Sequence, residues 1–270
     1  MMTPVPGSIL PLAHLDAISL AELQEEAAFL TRADQKYIVP VSAAASVIAA
    51  VEHGTRLLEI DGRNEFTYIS PYFDDEHGTA YLSAARRRTA RFKVRTRLYC
   101  DSGLCMLELK VRDGRGRTVK HRTAHDGDAL ESLLDADRAW LRDFPQVAPY
   151  ADDLRHCMTT RYVRTTLALP NGLGRVTIDR DLAFTTPAGD RRSLPDLAII
   201  ETKGTGKPTS FDRLLWRHGI RPQAMSKFNV GLSLLVPELP ANRWHRVRTR
   251  LDTLADRIPA PVPPEALAAD

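Results

Sequence analysis

The sequence predicts an α+β fold: an antiparallel sheet curled into a closed barrel, with helices packed on its outside. Three observations lead there. Strand-like segments are many, helix-like segments are few, and strands and helices do not alternate, which argues against a doubly wound parallel sheet. Several strands alternate charged with apolar residues at period two, so each has one charged and one apolar face. A single sheet of this many strands curls, and closure removes its edges.

Taken in order, Ser19 and Glu22 form a capping box opening a helix over 19–29, with Leu20, Leu23, Ala27 and Leu30 as its apolar stripe. A strand over 32–39 follows, then a helix from Pro40 and Ser42 through Glu52, closed by Gly54. Further strands are predicted at 56–60, 66–73, 79–83, 91–99, 104–112 and 117–123. A helix over 127–141 ends before Phe144-Pro145. "RYVRTTLALP" and "RVTIDRDLAF" read as strands around a turn at Asn171-Gly172, and "LAIIETKG" as one more. Helices near 211–218, stopped by Gly219, and 223–235 complete the plan. Residues 1–255 are predicted as one domain, and the Pro-rich tail 256–270 as disordered.

The bulk numbers narrow the function classes. A chain of 270 residues with 43% hydrophobic and 26% charged residues can bury a substantial core. Cys100, Cys105 and Cys157 are odd in number and lack metal-ligand spacing, which points to a reducing cytoplasm rather than a disulfide scaffold. No signal peptide and no apolar run of membrane-spanning length is read, so any membrane association is expected through a partner protein. The net charge is only +3, yet from Arg86 to Arg122 thirteen Lys/Arg stand against three acids. Such a patch implies an anionic partner, with nucleic acid, membrane and polyphosphate all eligible on charge alone.

Alternation separates those partners. In "RFKVRTRLYCDSGLCMLELKVR", Arg91, Lys93, Arg95 and Arg97 share one face. After the turn, Met106, Glu108, Lys110 and Arg112 share the matching face, with Leu107, Leu109 and Val111 opposite. Thr118, Lys120 and Arg122 repeat the pattern, as do Arg175, Thr177 and Asp179, then Ile199, Glu201 and Lys203, and finally Arg32, Asp34 and Lys36. A solvated outer face would explain any one of these strands. Helices must cover the apolar sides, however, so a closed sheet with charges inward satisfies all of them together. Like charges about 4 Å apart repel by roughly 4 kcal/mol at an effective dielectric near 20, so such a lumen calls for carboxylates, a polyanion and a divalent metal. The basic segments lack the exposed aromatic platforms of single-strand binders, and no nucleic-acid partner is expected.

At these residues the sequence resembles the polyphosphate polymerase domain of vacuolar transporter chaperone (VTC) proteins, within the triphosphate tunnel metalloenzyme superfamily. The resemblance runs from about Phe29 to Leu235 and rests on the ordered segments "RADQKY", "SPYFDD", "RFKVRTRLY", "CMLELK", "RTVKHR", "RYVRTTL", "GRVTIDRDL", "AIIETKG" and "GIRPQAMSKFNVG". It implies an eight-stranded antiparallel barrel with a hydrophilic interior that binds triphosphate and metal. It also implies roles: Lys36, Arg95, Arg97, Lys110, Lys120 and Arg164 holding phosphates, Lys227 on a helix near the nucleotide end, and Glu201 binding Mn²⁺ or Mg²⁺. Lys93, Arg122, Arg161, Lys203 and Ser226 are further expected substrate-binding residues. Glu108 is either a second metal ligand or an ion-pair partner of Lys110 or Arg95. Arginine's planar fork suits phosphate oxygens, lysine acts as a point charge, and Mg²⁺ takes one or two carboxylates beside substrate phosphates.

The activity implied is transfer of the ATP γ-phosphoryl group to a polyphosphate chain, with triphosphate hydrolysis and noncatalytic polyphosphate or nucleotide binding as alternatives. One departure bears on the choice. Hydrolytic relatives open on an E-x-E-x-K strand, whereas this chain reads Arg32-x-Asp34-x-Lys36, which favours the polymerase-like branch. "GTGKPTS" lacks phosphate-loop spacing and is read as a loop after Lys203.

Overall fold

The computed structural model describes residues 9–27, 33–113 and 115–258. Its elements in chain order are β1 (Asp16–Ile18), α1 (Leu20–Ala27), β2 (Ala33–Pro40), α2 (Val41–Ala49), β3 (Arg56–Leu58), β4 (Glu65–Asp74), α3 (Thr79–Ala85), β5 (Arg91–Tyr99), β6 (Leu104–Arg112), β7 (Thr118–Ala124), α4 (Asp135–Arg142), β8 (Arg155–Ala168), β9 (Gly174–Thr185), β10 (Arg191–Leu194), β11 (Leu197–Gly204), α5 (Ser210–Arg217), α6 (Lys227–Leu235), α7 (His245–Leu254) and β12 (Asp256–Ile258). Arg32 and Leu30 lie outside the described residues.

The α+β class holds: a largely antiparallel sheet carries helices. The expected closed eight-stranded barrel does not form. Twelve strands bond in the order β12-β10-β9-β8-β4-β5-β6-β7, with β11 joining β9 to β2, and β3 joining β8 to β1. Among the described residues β7 bonds only β6 and β2 bonds only β11, so the ladder keeps free edges. The β1–β3 pair is parallel. The physical reason is forking. β8 and β9 are long, at 14 and 12 residues, and different stretches of each take different neighbours. In β9, Gly174–Asp179 pairs with β11, and Asp181, beyond that stretch, adopts a left-handed φ of 53°.

Two compact units result. The first comprises residues up to Phe66, Val163–Leu182 and Pro195–Ala224; the second comprises Thr67–Tyr162, Ala183–Leu194 and the chain from Met225. In the first, the apolar faces of β2, β9 and β11 supply Tyr37, Val39, Val176, Ile178, Ala198 and Ile200 to the core. Val47 and Ile48 of α2 and Phe211 and Leu215 of α5 pack with them. This is the expected arrangement of helices over apolar sheet faces.

Asp212 ties α5 to that sheet. Its buried carboxylate accepts from Tyr37 Oη at 2.7 Å, Thr202 Oγ1 at 2.6 Å, and Thr209 N and Oγ1 at 2.6 and 2.8 Å. Asp212→Ala removes the acceptor of three buried hydroxyls, Tyr37, Thr202 and Thr209, and is expected to cost about 3 kcal/mol or more. Urea unfolding checks this, and a loss under about 1 kcal/mol would refute the hub role.

In the second unit Phe92, Val94, Leu107, Leu109 and Val111 are buried on the apolar face of β5 and β6. Phe92 stacks on Tyr150 with ring centroids 5.6 Å apart. Gly231 in α6 is required by a close approach, because a Cβ there would lie 2.4 Å from Phe184 Cδ1.

Local expectations fared unevenly. The α1 capping box is present, with Ser19 Oγ donating to Glu22 Oε2 at 2.6 Å. The predicted strand at 79–83 is instead α3. Asp74 and Asp75 cap it: their carboxylates accept from the backbone N–H groups of Ala80 and Tyr81, and of Thr79, at 2.8–2.9 Å. Burial pushes the Asp74 pKa up to about 6 against those amides. The helix expected over 127–141 shrinks to α4, whose N-terminus is set by Asp137 accepting from Leu134 N at 2.8 Å. The helix expected from 223 begins at Lys227, because Ser226 is its N-cap. Asp256–Ile258, placed in the tail by the sequence, pairs with β10, and residues 259–270 lie outside the described residues. Short strands β1 and β10 and helix α7 were not anticipated.

Candidate functional site

Two charged strand faces carry the candidate residues, one in each unit. In the second unit, β5 pairs with β6 so that Lys93 faces Lys110, Arg95 faces Glu108 and Arg97 faces Met106. β6 pairs with β7 so that Glu108 faces Arg122 and Lys110 faces Lys120. The parity is the one expected from the sequence. This face is far from fully wet: Glu108 is 2% and Arg97 6% exposed, although Lys110, Lys120 and Arg122 are exposed toward the β7 edge.

Glu108 is the hub. Its Oε2 lies 2.6 Å from Arg95 Nη2 and 3.9 Å from Arg97 Nη1, and its Oε1 lies 2.5 Å from Lys120 Nζ. Burial alone would raise its pKa, but Arg95, Arg97 and Lys120 outweigh burial and hold the carboxyl well below the usual range. Both oxygens are thus engaged by cations. Glu108 pairs with Arg95, one of the ion-pair partners expected from the sequence, and with Lys120, which the sequence does not single out as a partner. Burial, reinforced by Arg95 and Arg97 and opposed by Glu108, lowers the Lys120 pKa to about 8.

The arginines are held by hydroxyl groups the sequence reading missed. Arg95 Nη1 donates to Tyr72 Oη at 2.8 Å; Arg97 Nη2 donates to Tyr162 Oη at 3.0 Å and Arg97 Nε to Ser70 Oγ at 3.2 Å. Tyr68, Ser70 and Tyr72 stand at period two in "YISPY", a signal as regular as that of the arginines but uncharged. At the start of α6, Lys227 Nζ sits 4.8 Å from the Tyr162 ring centroid. Ser226, the N-cap, accepts from Lys93 Nζ at 2.6 Å. Arg161 is the exception among the expected residues. It is exposed, and strand parity turns it away from its neighbour Tyr162, so the structure does not bring it to this face.

In the first unit, β11 stands between β2 and β9, with Glu201 opposite Lys36 on one side and Thr177 on the other. Lys203 is opposite Asp34 and Arg175. Glu201 Oε1 lies 3.2 Å from Lys36 Nζ and 3.7 Å from Lys203 Nζ. Burial lowers the Lys203 pKa, with Glu201 opposing and Arg175 reinforcing. Arg164 forks onto the fully buried Asp179, Nε to Oδ1 at 2.6 Å and Nη2 to Oδ2 at 2.8 Å. The sequence sets Asp179 on the charged face of its strand; the bond to Arg164, which joins β8 to β9, depends on a second strand.

No group of three His, Cys, Asp or Glu side chains forms a ready metal cage among the described residues. Glu201, a partly exposed carboxylate beside two lysines, fits a different arrangement. In it a hard divalent cation arrives with phosphate ligands and takes one protein carboxylate.

The model of the VTC domain matches residues 31–236. The chain belongs to the VTC domain family. Among curated proteins none matches the sequence. Among solved structures, this VTC domain is similar to a Hippeastrum protein named as an adenylyl cyclase and described as having a dominant triphosphatase activity. The two share 18% identity at a TM-score of 0.50, over 79% of this chain and 100% of that one. The PH1819 protein of Pyrococcus horikoshii aligns at a TM-score of 0.43 and 10% identity, over 74% of this chain and 96% of that one. No helix among the described residues is long and apolar enough to cross a membrane.

Proposed function

We propose that this VTC domain is a polyphosphate polymerase-like phosphotransferase that moves the ATP γ-phosphoryl group onto a polyphosphate chain with the help of a divalent metal. The observation that carries the reading is the family match over the segment that also holds the two cation-rich strand faces. Phosphoryl transfer needs positioning and neutralisation of phosphate charge more than a protein nucleophile. Arg95 and Arg97, locked by Glu108, Tyr72, Tyr162 and Ser70, present guanidinium groups that need little reorganisation to meet phosphate oxygens. Lys110, Lys120 and Lys227 add point charges in that unit; Lys36 and Lys203 do so in the other, where Arg164 adds a guanidinium forked onto Asp179. Glu201 would hold the metal, which when bound supplies charge neutralisation at the transferring phosphate.

The testing experiment is incubation of purified protein with ATP and Mn²⁺, resolving polymer on a gel against released orthophosphate. Polymer supports the reading; orthophosphate alone supports the hydrolase alternative; tight binding without turnover in any metal supports a binding protein. The Arg32-x-Asp34-x-Lys36 departure from paired glutamates favours the polymerase.

A pH dependence follows from Lys120. Its protonated form attracts phosphate, and with a pKa of about 8 it discharges as pH rises. Tripolyphosphate affinity is therefore expected to fall between pH 7 and pH 9, and to fall less in Lys120→Arg, whose charge persists. Isothermal titration at the two pH values checks both statements.

A further inference from the structure

The N-terminus of α6 in the second unit holds a polar group that the proposed reaction does not use. Asn229, third residue of this nine-residue helix, is 3% exposed. Its Oδ1 accepts from Lys93 Nζ, while its Nδ2 is buried with no hydrogen-bond partner. The pairing with Lys93 decides which amide atom is left over, because rotating the amide would set two donors against each other. A buried donor without an acceptor costs about 1–3 kcal/mol, so an oxygen brought to it would be favoured by that amount.

The surroundings say what would bind. Lys93 has only neutral hydrogen-bond partners, Ser226 Oγ and Asn229 Oδ1, and lies 5.3 Å from the Phe228 ring centroid. The charged groups with the largest effect on it are cations: Lys110 from β6, Arg91 and Arg95 from β5, and Arg243. Burial first, and then these cations, push its pKa well below that of an ordinary lysine, a shift that an anion placed beside it would oppose. A helix N-terminus adds backbone N–H groups and the positive end of the helix dipole.

Resting on the phosphate-binding reading above, we infer that Asn229 is itself a ligand-contacting residue: its side-chain N–H₂ donates to an oxygen of a phosphate group held beside Lys93 at the start of α6. The ligand class is a tetrahedral oxyanion, either free orthophosphate or the end of a polyphosphate chain.

The test uses the side-chain amide signal of Asn229 in the ¹⁵N–¹H spectrum of the full chain, assigned by its loss in Asn229→Asp. Titrations with orthophosphate and with tripolyphosphate form the two arms, and the arm that shifts the signal at lower concentration identifies the source. The expected result is a saturable downfield shift. Asn229→Asp keeps an acceptor for Lys93 and suits a helix N-terminus, so its melting temperature should hold. Its tripolyphosphate affinity should nevertheless fall about 10-fold or more, since a charge-assisted hydrogen bond is lost. If backbone signals of β5 and β6 saturate while the Asn229 side-chain signal stays still, this inference is overturned and phosphate binding stands. The same holds if Asn229→Asp binds as tightly as the parent. If no signal in the protein responds to either anion, both readings fall together.

Discussion

Glu201→Gln is expected to lose metal-dependent turnover of ATP by about 100-fold or more, a barrier increase near 2.7 kcal/mol, because it removes the one carboxylate proposed to hold the cation. The substitution keeps the side chain's size and an oxygen acceptor, so the strand pairing of Glu201 with Lys36 and Thr177 should persist. It also removes the negative charge that Lys36 and Lys203 approach at 3.2 and 3.7 Å. Metal-free tripolyphosphate should therefore bind at least as well as to the parent chain. The two readouts move in opposite directions, which separates loss of the metal from loss of the fold. If the variant makes polyphosphate from ATP and Mn²⁺ at the parent rate, Glu201 is not the metal ligand.

Glu108→Gln is expected to lower stability by about 3–5 kcal/mol in phosphate-free buffer, since it leaves Arg95, Arg97 and Lys120 close together without their buried anion. Saturating tripolyphosphate should return more than half of that loss, because an external anion replaces the missing one and binds only the folded form. The pH sign is fixed by the direction of the shift. A carboxyl held below its ordinary pKa contributes stability above the unfolded-state value near 4.5, and loses it as pH falls toward the folded value. Acid unfolding of the parent should steepen below about pH 4.5, and that limb should flatten in the variant. Urea midpoints with and without tripolyphosphate, repeated between pH 7 and pH 3, decide the matter. A loss below about 1 kcal/mol, or one indifferent to tripolyphosphate, would mean that solvent rather than Glu108 neutralises these cations.

Much of the site was legible because strand parity is a local property. Lys93, Arg95 and Arg97 could be set on one face, and Glu201 with Lys203 on another, without knowing any partner strand. Parity also sets Arg161 on the face opposite Tyr162, because it stands one position away and an odd step along a strand reverses the face. The polar supports were harder to see. Tyr68, Ser70 and Tyr72 alternate as regularly as the arginines, yet hydroxyl and aromatic side chains suit a core as well as a charged face. Asn229 gave no signal at all, because its meaning lies in a lysine 136 positions away.

The strand expected at 79–83 gives way to a helix for a related reason. "TAYLS" has no strong period, and its helix exists because Asp74 and Asp75 bond the first N–H groups of α3. A cap outside the element outweighed weak preferences within it.

Sequence alone determined the element types along most of the chain, the division of each strand into a charged and an apolar face, and the excess of cations that demands an anion. These depend on φ/ψ geometry and on side chains a few residues apart, which any short stretch carries with it. Only the tertiary structure decided which strands became neighbours, that β8 and β9 fork the sheet instead of closing it, and that Glu108 and Asp179 are consumed by arginines. Such outcomes turn on contacts between distant segments, whose distances and competing partners exist only once the chain has folded.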